Sequence, residues 1–176
     1  EDAEVTVCDA NPKVKDNTLP VTWQLGETYL ENLTKYDVLV RSPGIPFFTE
    51  EIQAALQAGV AVTSQTKEFF ARCQANIVGV TGTKGKGTTA TLIYRMLEAN
   101  GRNVHLVGNI GTSAINLLPS LRSTDVVVYE LSSFQLQDLD HSPHVAVVLG
   151  ISTDHQDHHQ SLDEYHRAKQ NIVRYQ

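Results

Sequence analysis

The chain has 176 residues and a formal charge of −6, from 14 Lys and Arg against 20 Asp and Glu, which excludes the basic field of a nucleic-acid surface. Hydrophobic residues make up 41%, enough for a packed core, and no low-complexity block marks a disordered chain. No apolar run approaches the ~20 residues of a membrane helix and no signal peptide opens the chain, so a cytoplasmic protein without a membrane partner is expected.

The N-terminal stretch EDAEVTVCDANPK enters a strand pattern almost at once and has no initiator Met, and so reads like a segment cut from a longer protein. Strands are expected at Val5–Cys8, Val21–Leu25, Val38–Val40 and Val60–Val62. Thr49–Ala58 has the pattern of an amphipathic helix, with Thr49 as N-cap and Gly59 as its stop; a shorter helix covers Lys67–Arg72. Cys8 and Cys73 lack metal-ligand spacing and are expected to be reduced, mostly buried thiols.

A second series starts beyond a boundary near Gln74–Asn76. Its expected order is strand Ile77–Thr81, helix Thr88–Ala99 stopped by Asn100-Gly101, strand Val104–Val107 and a short helix around Ser113–Leu118. Strands Val126–Leu131 and Val145–Ile151 and helix Leu162–Val173 follow. The strands are unbroken Val/Ile/Leu runs, which suits a parallel sheet covered on both faces, and the alternation with helices gives an α/β class.

The stretch GVTGTKGKGTT, Gly79–Thr89, lies between a strand and a helix, where a phosphate-binding loop belongs. It departs from the common G-x-x-x-x-G-K-[ST] pattern at Val80 and Gly87. Gly82, Gly85 and Gly87 allow backbone N–H groups to converge on an anion, and the helix N-terminus adds partial positive charge. Lys86 is placed to reach β/γ-phosphates, and Thr88 or Thr89 offers a hydroxyl for Mg²⁺. Glu130 ends the apolar run DVVVYEL at the carboxyl edge of the sheet, a place suited to a hard cation. Asp154, His155, Asp157, His158 and His159 cluster in TDHQDHH, which from residue types alone suits either a polar loop or a zinc site. Lys169 by spacing alone is a helix-surface lysine, and SPGI (Ser42–Ile45) a tight turn before a helix.

The loop TGTKGKGTT resembles that of the Mur ligases and their relative folylpolyglutamate synthase, with Lys84 and Gly87 spelled more like the folate enzymes. SPGIPFFTEEIQAALQAGVAV, GNIG (Gly108–Gly111), YELSSFQL (Tyr129–Leu136) and TDHQDHH extend the resemblance over nearly the whole chain, toward the branch that adds D-glutamate. The resemblance implies a Rossmann-like partial domain at 1–75 that binds the UDP substrate. A partial P-loop parallel-sheet domain that binds ATP would follow at 76–176.

It further implies an ATP-dependent ligase joining D-glutamate to UDP-N-acetylmuramoyl-L-alanine through an acyl phosphate, working as a monomer in peptidoglycan synthesis. Gly82, Thr83, Lys84, Gly85, Lys86, Gly87, Thr88 and Thr89 would hold ATP. Two Mg²⁺ would be held by Thr88, Glu130, His155 and Lys169, the last as a carbamylated lysine. Asp9, Asn11, Ser42, Gly44, Asn109 and Ser132 would face the substrate, and Lys86, Glu130, His155 and Lys169 would carry the catalysis. The 176 residues alone would not complete the ligation. The competing expectations are another member of the superfamily, a folate ligase included, and a nucleotide-binding segment without catalysis.

Overall fold

The computed structural model describes residues 3–108, 113–152 and 161–176. The chain divides into two compact units, Glu1–Leu39 with Phe48–Val62, and Val40–Phe47 with Thr63–Gln176.

In the first unit, β1 (Thr6–Asp9) and β2 (Thr22–Leu25) pair in parallel, with Thr6 opposite Thr22. Helix α1 (Glu50–Gln57) has Glu50 and Glu51 in its first turn, where carboxylates complement the positive end of the helix dipole. It ends as its sequence asks: Gly59 takes φ 89, its N–H meets the Leu56 carbonyl, and Val60 N–H meets the Ala55 carbonyl, each at 3.0 Å. Ile52 and Ala55 of this helix are buried, as is Leu33 in the 3₁₀ turn (Leu33–Lys35) that α1 packs against.

Strands β3 (Val38–Arg41) and β4 (Ala61–Ser64) form a second two-stranded sheet. β4 starts one residue later than the expected Val60–Val62, because the Val60 N–H is committed to closing α1.

The second unit holds the main sheet. Its strands are β5 (Asn76–Thr81), β6 (Val104–Gly108), β7 (Val126–Glu130) and β8 (Val145–Val148), in spatial order β6-β7-β5-β8 and all parallel. Successive residues Val127 and Val128 are both fully buried, so both faces are covered, as the unalternating runs require. On one face Val127 and Tyr129 pack with Phe69, Phe70, Leu136 and Ile172, from α2 (Gln65–Arg72), α5 (Ser133–Leu136) and α6 (Leu162–Arg174). On the other, Val80 and Val128 meet Ala90, Ile93 and Leu97 of α3 (Lys86–Ala99). Each fully buried aliphatic side chain of this kind contributes about 1.5–3 kcal/mol.

The sequence expectations hold for element type and shift at the ends. α3 begins at Lys86 rather than Thr88 because Gly85, at φ 82, takes the N-cap position and places Gly87 inside the first turn. It stops as expected at Asn100-Gly101, where Gly101 N–H bonds Glu98 O at 2.9 Å and Arg102 N–H bonds Leu97 O at 3.1 Å. The helix expected around Ser113–Leu118 is α4 (Ala114–Leu117), continued by a 3₁₀ turn at Leu118–Ser120. β8 ends at Val148, short of Ile151, because its partner β5 stops at Thr81 and Gly82 bends the chain away.

Cys8 and Cys73 are free, as expected, but half-buried rather than mostly enclosed; a two-stranded sheet and a helix end cannot surround a side chain. Partial burial still pushes both thiols above their ordinary pKa. No helix among the described residues is long and apolar enough to cross a membrane.

Candidate functional site

The carboxyl ends of β5, β6 and β7 finish level with one another: Glu130 stands opposite Val80 on one side and Gly108 on the other. Close packing at this edge fixes two glycines. A Cβ on Gly108 (φ 125) would lie 2.2 Å from the Glu130 carbonyl oxygen, and one on Gly82 (φ 152) would lie 2.6 Å from Leu149 Cβ.

From Gly82 the loop runs to α3. The first helical bond is drawn by Thr89 N–H to Gly85 O at 2.9 Å, so the N–H groups of Lys86, Gly87 and Thr88 form the open first turn of a 14-residue helix. Lys84 and Thr88 are exposed, and Lys86, Gly87 and Thr89 half-buried. Lys86 Nζ curls back to the Thr83 carbonyl at 3.0 Å, which keeps its charge beside the turn. Thr83 is buried and its hydroxyl is engaged within the protein: it lies 2.8 Å from Tyr165 Oη and accepts the Ser152 N–H at 2.9 Å. Its own N–H meets the Gly150 carbonyl at 3.0 Å, so the loop is anchored to the end of β8 at both ends of one residue.

A cavity of about 390 Å³ opens beside this loop, lined by Gly82, Lys86, Ser132–Phe134, Tyr165 and Lys169 and by Pro43, Gly44 and Pro46 from the segment after β3. All of these belong to the second unit. Two amines and a helix N-terminus facing a small volume favour an anionic occupant. Ser132 supplies its hydroxyl to a capping box with Gln135 at the start of α5: Oγ accepts Gln135 N–H at 3.2 Å, while Gln135 Oε1 takes the Ser132 N–H at 2.9 Å.

Lys169 is buried, 3% exposed, and not on the helix surface that spacing alone indicated. Its Nζ donates to Gly82 O at 2.9 Å and Thr81 Oγ1 at 3.3 Å, and lies 4.8 Å from the Tyr165 ring centre. Burial, with the Lys86 charge adding to it, lowers its pKa from 10.5 to about 8. Glu130 is 4% exposed, and its Oε2 is buried with no hydrogen-bond partner. An orphaned carboxylate oxygen at this depth is costly unless a cation meets it, so the donor set fits a hard divalent ion. Among the described residues no group of three or more His, Cys, Asp or Glu gathers into a metal site.

Other expected site residues are placed differently. Asp9 and Asn11 lie in the first unit, where Asp9 Oδ1 accepts Asn11 N–H at 2.7 Å and Asn11 Oδ1 accepts Lys13 N–H at 3.0 Å. Ser42 is exposed and its carbonyl closes a turn with Ile45 N–H at 3.1 Å, while Gly44 lines the cavity. Asn109 and the cluster from Asp154 to His159, His155 included, lie outside the described residues. Sequence reasoning missed Tyr165, Phe134 and the pair Arg41–Asp138. Only the Ser132…Gln135 spacing carried a local signal for the start of α5.

The family description "Mur ligase middle domain" matches residues 80–176. Proteins named UDP-N-acetylmuramoylalanine–D-glutamate ligase are similar over most of the chain. That of Acetivibrio thermocellus is 44% identical over 99% of this chain and 39% of its own length. That of Clostridium acetobutylicum is 44% identical over 89% and 34%, and that of Symbiobacterium thermophilum 41% over 98% and 39%. The chain thus spans about two fifths of the length of the curated relatives it matches. With a glycine loop at a parallel-sheet edge, a buried strand-end acid, and a family match over more than half its residues, the chain belongs to the Mur ligase middle-domain family.

Proposed function

We propose that the whole protein is an ATP-dependent ligase that joins D-glutamate to UDP-N-acetylmuramoyl-L-alanine, a cytoplasmic step of peptidoglycan synthesis. The observation that carries this reading is Glu130, a buried acid with an unpartnered oxygen, set beside the glycine loop. The names of the relatives support the choice of D-glutamate over folate chemistry.

Residues 76–176 are assigned to ATP and 1–75 to the UDP substrate; the enzyme works as a monomer. The N–H groups of the first α3 turn and Lys86 hold the phosphates, with Gly82, Thr83, Lys84 and Gly85 shaping the loop and Thr89 at its end. The alanyl carboxylate attacks the γ-phosphorus, ADP leaves, and the D-glutamate amine then displaces phosphate from the acyl phosphate. Positioning and charge neutralisation supply most of the acceleration. Thr88, Glu130, His155 and Lys169 would hold two magnesium ions, which when bound neutralise charge on the phosphates.

Lys169 acts there as its carbamate. The ammonium first loses a proton; the neutral amine then attacks CO₂, the N–C bond forms as one C=O π bond opens onto oxygen, and a second proton leaves the nitrogen, giving an anionic oxygen ligand. The depressed Lys169 pKa favours the neutral amine that this step needs. Asn109, Ser132, Ser42 and Gly44 are assigned to the substrate side, and Asp9 and Asn11 to the uracil. Heavy oxygen in the alanyl carboxylate tests the acyl phosphate: the label is expected in the released phosphate, and its full retention in the product would refute the route.

A further inference from the structure

Arg41 closes β3 and is 3% exposed. Its Nη1 donates to Ile45 O at 2.6 Å and Ser42 O at 3.4 Å; its Nη2 donates to Phe134 O at 3.2 Å and Asp138 Oδ1 at 2.6 Å. One guanidinium therefore ties the Ser42–Phe47 loop to α5 and the residues just after it. A second tether runs parallel, from Phe47 N–H to Gln137 Oε1 at 3.3 Å. Both tied segments line the cavity, the loop through Pro43, Gly44 and Pro46 and the other through Ser132–Phe134.

Stability alone does not account for this pair. The Arg41 and Asp138 side chains are 0% and 4% exposed, so both ions are stripped of water. Arg41 Nε and Asp138 Oδ2 are buried without partners, so the pair is not fully satisfied. Apolar residues of similar volume would hold two segments together at lower desolvation cost. What they could not supply is the planar fork, which fixes three backbone carbonyls and a carboxylate at set angles; an ammonium cannot do so either.

We infer that Arg41 and Asp138 are positioning residues for the UDP-linked substrate: they hold the Pro43–Gly44 backbone as the cavity wall that this substrate meets, while the ATP loop is formed without them. This assignment of the substrate rests on the ligase reading above.

The test uses the whole protein with Arg41→Lys, which keeps the charge and removes the fork, and Asp138→Asn, which keeps the shape and removes the charge. Each is expected to raise KM for UDP-N-acetylmuramoyl-L-alanine about tenfold and leave KM for ATP within about twofold. Amide exchange at Ile45 and Phe47 is expected to quicken in both variants, with no change at Gly82–Lys86. Unchanged exchange at Ile45 and Phe47, or a parallel rise in both KM values, would overturn the inference. A wild-type protein that does not turn over the UDP substrate would sink the ligase reading instead, and the exchange comparison would then decide the clasp by itself.

Discussion

Lys169 Nζ donates to the Gly82 carbonyl at 2.9 Å, joining the last helix to the first residue of the glycine loop through a buried ammonium. Because the amine is desolvated and faces Lys86, its pKa of about 8 lies below the ordinary 10.5. The unfolded chain therefore binds more protons between those values, and stability should rise with pH across that window. Urea melts in CO₂-free buffer from about pH 8 to 10.5 are expected to show this rise in the wild type. Lys169→Met should flatten it, and an equal slope in both would remove the buried-ammonium account.

Glu130 gives two effects of opposite sign. Without metal, its unpartnered oxygen costs about 1–3 kcal/mol, so Glu130→Gln is expected to melt no lower than the wild type in chelator. With Mg²⁺ and both substrates, the same change should lower kcat about 100-fold or more in the whole protein. A variant that loses stability in chelator but keeps its turnover would point to a purely structural acid.

The glycines rank by what a methyl group would meet. Gly108→Ala would drive a Cβ against a backbone carbonyl at 2.2 Å, and Gly82→Ala against Leu149 Cβ at 2.6 Å; Gly101 has nothing within 4 Å. Losses of about 3–4, 2–3 and 1 kcal/mol are expected in that order, the last from its positive φ alone. Chemical denaturation of the three variants checks the order, and Gly101→Ala as the worst would contradict it.

The legible part of this molecule was local. Val127-Val128 announced a two-faced strand, and Gly59 and Gly101 announced helix stops, because each acts within a few residues of itself. α3 starts two residues before the expected Thr88 because a helix interior disfavours Gly87, while the first turn, whose N–H groups have no intrahelical partner, tolerates it. Arg41–Asp138 and Thr83–Tyr165 were out of reach: they are made by residues 97 and 82 positions apart, which the sheet topology alone brings together. Lys169 was readable only by resemblance, since nothing in EYHRAKQNI says which side of α6 faces the loop.

Thr83 and Tyr165 share a buried hydroxyl contact at 2.8 Å, and Thr83 Oγ1 also accepts the Ser152 N–H. Thr83→Val takes the acceptor away from the Ser152 N–H as well as ending the contact with Tyr165, and should lose about 2–3 kcal/mol, whereas Tyr165→Phe should lose about 1. The double variant should fall short of the sum by at least about 0.5 kcal/mol. Strict additivity would mean that the two hydroxyls act independently.

The most direct measurement is phosphate release by the whole protein with ATP and Mg²⁺, supplying UDP-N-acetylmuramoyl-L-alanine and D-glutamate separately and together. Sustained release that requires both is the expected result, and it would show that a loop carrying Gly87 supports ligation. Release that ignores both but follows a folate with L-glutamate, or no release under any combination, would contradict the account.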